Sequence, residues 1–141
     1  MRRVLAILLD TFPYRLMATA HILAAVVAFG PLFLYPSLRK AGETQAIAAS
    51  HVKMTLPALV LLWVLGMGLA GMSEDFYKMS QLWLVLSLVN WAILVAVSWF
   101  LIRPAIADRS EAAQARLAAG VGITHLGLII GLVLMVWKPG L

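Results

Sequence analysis

The chain contains no cysteine among its 141 residues. That excludes disulfides, iron–sulfur clusters, thiolate zinc sites and covalent c-type haem attachment. Charge is scarce as well. Asp, Glu, Lys and Arg make up 12% of the chain, about half the share of a soluble domain. The acids Asp10, Glu43, Glu74, Asp75, Asp108 and Glu111 all fall outside the long apolar runs. A proton pump built on intramembrane carboxylates is therefore not expected. No Ser/His/Asp triad, paired carboxylate or phosphate loop is present. The net charge of +5 sits between apolar runs and forms no stripe, which argues against nucleic acid as a partner. Lys and Arg in such places serve topology and contact with anionic headgroups.

What the sequence has in abundance is apolar surface. Hydrophobic residues are 63% of the chain, and the mean hydropathy is +0.97. A water-soluble fold of this size has too little interior to hide that much. Four runs, residues 16–38, 54–72, 81–102 and 118–137, reach or approach the roughly 20 residues that cross a bilayer core. Within lipid each backbone N–H and C=O must be paired inside its own segment, so the runs are expected as helices. They lack the period-2 alternation of barrel strands. The expected fold is all-α: a four-helix transmembrane bundle forming one integral membrane domain over residues 1–141. The expected location is the cell membrane, as a multi-pass protein. Its expected partners are the lipid bilayer and, beyond it, other membrane subunits or a second copy of itself.

Residues 1–9 resemble the start of a signal peptide, and Ala18-Thr19-Ala20 resembles a cleavage site. The apolar stretch is short, however, and Asp10, Pro13 and Arg15 follow it. A short interfacial helix over residues 2–12 is expected instead, with no cleavage. Residues 39–53 and 103–119 are basic and alanine-rich, a composition that extends the second and fourth helices beyond the apolar runs. Asp108 with Glu111 resembles a capping box. The pattern suggests two similar hairpins. Arg39, Lys40, Lys53, Arg103, Arg109 and Arg116 share one face, and the positive-inside rule places that face in the cytoplasm.

Gly120, Thr124, Gly127 and Gly131 form a small-residue stripe on the last span, with Gly127 and Gly131 as a GxxxG pair suited to close packing. Gly66, Gly68 and Gly71 spell GxGxxG, yet no strand precedes them, so helix packing is expected rather than a dinucleotide site. Trp83, Trp99, Trp137, Tyr14 and Tyr35 lie near span ends, as an aromatic belt does. Trp63 and Trp91 lie mid-span, where packing is the default. Gly30-Pro31 is expected to loosen or kink the first helix.

Polar groups inside the spans are the first candidates for function. His21 shares a helical face with Ala24, Ala25 and Ala28, which leaves room for a flat ligand. It reads either as an axial ligand to b haem or a porphyrin contact, or as a histidine hydrogen-bonded to Ser87 or a backbone carbonyl. His125 reads as bonded to Asn90 or to the carbonyl freed by Pro31, and Asn90 as an interhelical donor. His51 lies outside its apolar run and is expected near solvent or headgroups. At 1.5 Å per residue His21 and His125 differ in depth by roughly 13 Å, which disfavours bis-histidine ligation. Single ligation by His21 is more natural, with the sixth site open or taken by Met72 or Met135. The candidate cofactor residues are His21, His125 and Met135, with His21 as the haem-iron ligand. Asn90, Gly127, Gly131 and Pro31 are the structural candidates.

The stretch from His21 to Leu38, with Phe29, Gly30 and Pro36-Ser37-Leu38, resembles the first span of a family of small four-span predicted integral membrane proteins. More distantly it is similar to the HemJ-type protoporphyrinogen oxidases and to copper-resistance-D-like membrane proteins. The resemblance implies b haem on His21 and chemistry on a porphyrin. The function expected is that of a b-haem or porphyrin-binding redox protein. The alternative is a non-catalytic accessory subunit packed within a larger membrane complex.

Overall fold

A computed structural model describes residues 11–73 and 76–141. The described residues form no strand and four long helices: α1 (Phe12–Lys40), α2 (Thr44–Gly71), α3 (Leu82–Ala107) and α4 (Glu111–Trp137). Each is long and apolar enough to cross a membrane. The expected all-α four-helix bundle is what the chain forms. The interfacial helix expected over residues 2–12 lies, but for its last two residues, outside the described residues. Phe12 already belongs to α1, which opens with Pro13 in its first turn, where a missing N–H costs nothing.

Prolines set the irregularities. At Gly30–Phe33 the first helix tightens into a 3-10 turn around Pro31 and resumes over Tyr35–Lys40. Pro57 and Pro104 act differently. Each follows a π-helical turn, His51–Thr55 in α2 and Val97–Ile102 in α3. A proline cannot bond to the carbonyl four residues back and its ring collides with it. Here those carbonyls belong to Lys53 and Phe100, inside the widened turns that relieve the clash. The fourth helix has no proline and is unbroken for 27 residues.

The alanine-rich segments extend α2 and α4 as expected, but the cap of α4 differs from the expected capping box. Ser110 is the N-cap, its hydroxyl accepting from the Ala113 N–H at 3.2 Å. Asp108 instead accepts from the Ser110 N–H at 2.8 Å and organises the turn before it. Across the same end, Arg39 donates to the carbonyls of Ala105 (3.0 Å) and Asp108 (2.9 Å). Those are orphan acceptors at the end of α3, so one guanidinium closes a foreign helix.

The closest contacts are within hairpins, α1 against α2 and α3 against α4. Toward the 41–43 and 108–110 connections the hairpins meet in a dense core that includes Leu32, Ile47, Leu59, Ile102, Ile106 and Leu117. Toward the termini they part, and only a small cluster of Ala70, Tyr77, Trp83 and Leu84 packs together there. The bundle is solid in one half and hollow in the other.

The glycine stripes serve contacts inside the chain. A Cβ on Gly120 would stand 2.6 Å from Ile102 Cγ1, and one on Gly127 2.5 Å from Leu94 Cδ2. In α2, Gly66 faces the His21 ring and Gly68 faces the Met17 sulfur. Two of the GxGxxG glycines, Gly66 and Gly68, are thus the seat of α1 on α2, whereas a Cβ on Gly71 would meet nothing within 4 Å.

Candidate functional site

The hollow half contains a cavity of about 470 Å³ with walls from all four helices. That is within the size range of small-ligand sites, roughly 300–1,000 Å³. His21 of α1 is on its wall, as are Met135 of α4 and Asn90 of α3. Most of the remaining lining is apolar, with Trp63 and Trp91 stacked on each other at 5.5 Å. Trp91 Nε1 donates to the Leu59 carbonyl at 2.8 Å, which satisfies its one polar atom.

His21 is positioned by the close seat of α1 on α2. A Cβ at Gly66 would lie 3.0 Å from its Cε1 and 3.5 Å from its Nδ1, so glycine is what admits the imidazole. Nδ1 is buried without a well-formed hydrogen bond, and the Leu62 carbonyl is the acceptor that acts on the ring. Ser87, the side-chain partner considered for His21, gives its hydroxyl to the Trp83 carbonyl at 2.7 Å. Buried imidazole nitrogens are ordinarily paired, so one left over at a cavity calls for a ligand or a water.

The three candidate cofactor residues separate. His21 and Met135 line the cavity, whereas His125 is stacked on Phe33 at 4.2 Å and is not part of its lining. The partners expected for His125 are also wrong. Asn90 Nδ2 donates to the Gly127 carbonyl at 2.9 Å, and His125 Nε2 is buried without a partner. A Cβ on Gly131 would stand an ordinary 3.5 Å from Asn90 Nδ2. Met72 is not among the lining residues.

His51 overturns its expectation. It is wholly buried, not solvated, and so is Tyr35, which was expected in the aromatic belt. His51 Nε2 donates to the Ser98 carbonyl at 3.1 Å, which leaves Nδ1 to accept from the Tyr35 hydroxyl at 3.2 Å. The hydroxyls of Thr55 and Ser50 lie 3.4 Å from the Tyr35 oxygen. This network joins the two π turns and holds α1, α2 and α3 together at the solid end. Ile47, His51, Thr55 and Leu59, all buried, recur every fourth residue, and that spacing is the signal that placed His51 inside.

Trp83 also leaves the belt, at 4% exposure, while Trp137 is exposed and Trp99 carries Arg103 over its ring at 4.2 Å. At the cavity mouth the end of the connection from α2 to α3 is tied down by Gln81. Its side chain accepts from Trp83 Nε1 at 3.1 Å and donates to the Phe76 carbonyl at 3.0 Å. Ser73 accepts from the Tyr77 N–H at 2.9 Å. Trp83 and Tyr77 are thereby fixed at the open end of the hollow.

Among the described residues no group of three or more His, Asp or Glu side chains gathers to hold a bare metal ion. A haem brings four nitrogens of its own and requires only one or two protein ligands; of the candidate ligands, His21 and Met135 line the cavity. Compared with protein-family models, with curated proteins and with solved structures, the chain matches none.

Proposed function

We propose that this chain is a multi-pass protein of the cell membrane that binds a porphyrin, b haem in its redox form, in the cavity beside His21. The observation that carries the reading is an imidazole on the wall of a hollow of about 470 Å³, its Nδ1 buried against α2 without a well-formed hydrogen bond. His21 is the iron ligand in this reading, Met135 stands on the same cavity as a second candidate, and Trp63 and Trp91 supply flat apolar wall. His125 has no part in it. A bound haem supplies one-electron chemistry at its iron. The resemblance of residues 21–38 to HemJ-type proteins points the same way. With Arg39, Lys40, Lys53, Arg103, Arg109 and Arg116 in the cytoplasm, the mouth of the cavity opens at the opposite face.

The test is an absorption spectrum of the detergent-purified chain after haem-replete expression. A Soret band in the natural sequence that is lost or shifted in His21→Ala supports the reading. No Soret band, or an identical one in His21→Ala, refutes it.

A further inference from the structure

The mouth of the cavity holds a cation that iron ligation does not use. Lys138 follows the last residue of α4 and adopts a left-handed backbone conformation, with φ 43°. Its ammonium donates to the Tyr77 hydroxyl at 2.8 Å and lies 4.8 Å and 5.7 Å above the rings of Tyr77 and Trp83. Those rings are buried, at 9% and 4% exposure. A lysine at the end of a span ordinarily turns its head outward to water and headgroups. This one turns in, over the rim of an apolar hollow that it lines itself. Among the described residues no carboxylate pairs with it, and an ammonium has three protons to donate. Two remain free.

Tyr14 stands at the same mouth, its hydroxyl facing that of Tyr77. It precedes His21 by seven residues, two helical turns on one face, which separates them by about 10 Å along α1. The hollow therefore has a polar, cationic end, an apolar middle, and an imidazole about two turns deeper. That is the profile of an amphiphile's site. It suits a plate with acid groups on one edge and hydrocarbon on the other.

We infer that Lys138, with the Tyr77 and Tyr14 hydroxyls, is a carboxylate subsite that orients a tetrapyrrole dicarboxylate, acid edge outward and apolar edge toward the solid core. This rests on the porphyrin reading of the cavity and adds which edge is recognised and by what. The ammonium supplies charge-assisted hydrogen bonds, the strong kind at a site with little water. The buried rings beneath it fix its position before a ligand arrives.

Metal-free protoporphyrin and its dimethyl ester separate this subsite from iron ligation, because neither carries a metal for His21 to bind. Binding to the full chain in nonionic detergent is read from quenching of tryptophan fluorescence, since Trp63, Trp83 and Trp91 line the cavity. The free acid should bind about ten- to a hundredfold more tightly than the ester. Lys138→Met should abolish that preference and leave the ester's affinity unchanged, which also shows that the variant is folded. His21→Ala should keep the preference. Equal affinities in the natural sequence, or a preference that survives Lys138→Met, overturn the subsite. If haem gives its Soret band while acid and ester bind alike, only the subsite fails. If neither porphyrin binds and no Soret band forms, the cavity reading fails and takes the subsite with it.

Discussion

Four glycines of α4 offer a controlled experiment in helix packing, because Gly→Ala brings the same intrinsic gain at each. In a helix interior that gain is about 0.8–1.0 kcal/mol, so the differences among the variants report the surroundings alone. At Gly122 nothing lies within 4 Å of an added Cβ, and at Gly131 the nearest atom is Asn90 Nδ2 at 3.5 Å. Both variants should be at least as stable as the natural sequence. At Gly120 the Cβ would stand 2.6 Å from Ile102 Cγ1. Ile102 is wholly buried in the solid core, and its branched side chain is stiff at χ1. Overpacking of this kind costs about 1–3 kcal/mol. Gly120→Ala should therefore fall below Gly122→Ala by about that amount in equilibrium unfolding in mixed micelles, followed by circular dichroism. Gly127 is the informative middle. Its Cβ would meet Leu94 at 2.5 Å, but Leu94 borders the cavity and can swing into it. Gly127→Ala should lose less stability than Gly120→Ala while weakening porphyrin binding. Equal stability of Gly120→Ala and Gly122→Ala would refute the account of where the bundle is solid.

Arg39→Ala strips two carbonyls at the end of α3 of their donor and should destabilise by about 1–3 kcal/mol, with Arg39→Lys recovering only part, as read in the same unfolding assay. Tyr35→Phe removes the proton that His51 Nδ1 accepts. It should cost about 1 kcal/mol, because membrane-embedded hydrogen bonds average less than buried ones in water, and thermal unfolding in detergent would show it. The Asp108 carboxyl is held below its ordinary range by hydrogen bonds from the Ser110 N–H and hydroxyl, with lesser help from Arg116 and Arg39. A depressed folded value means its contribution is complete above the unfolded value, about 3.9, and fades as pH falls through the folded one. The stability difference between the natural chain and Asp108→Asn should therefore be constant from pH 5 upward, on the order of the ordinary carboxylate range, and shrink below it; a difference growing in acid would contradict the assignment.

The helices were legible because hydrocarbon leaves a twenty-residue apolar run one way to satisfy its backbone. The extensions over 44–50 and 111–117 followed from alanine content. His51 and Tyr35 were misjudged for one reason: hydropathy averages over a window, and a polar side chain at the edge of a run looks solvated. Its burial depends on the contact of Thr44–Ser50 with Arg103–Ala107, which joins segments far apart in sequence. The π turns had a marker in Pro57 and Pro104, but a proline signals a disturbed ladder without saying whether it tightens, as at Pro31, or widens. His21 stood out as a polar group inside a span and Met135 by its depth, but depth offered Met72 equally, and only Met135 lines the cavity. The direction of Lys138 was out of reach, since it follows from one left-handed residue beyond the last helix.

The division between a solid and a hollow half follows from where bulk is placed. At the solid end the π turns of α2 and α3 carry His51 and Ser98, which meet there, and branched residues such as Ile47, Ile102 and Ile106 fill the interior. In the hollow half small residues, Ala18, Ala25, Gly66 and Gly131, stand on the wall, Trp63 and Trp91 stack on each other, and Trp83 and Tyr77 are held at the mouth by Gln81 and Ser73. Leucines on those small positions would have closed the hollow, and close packing is the usual outcome in an interior. A cavity left open loses dispersion contacts along its lining, so the solid half must hold the bundle together whether or not the hollow is filled. A ligand that fills it then adds stability in proportion to the logarithm of its concentration over Kd. Porphyrin should accordingly raise the unfolding midpoint of the natural chain, and do so without altering the His51–Tyr35 network that already secures the other end.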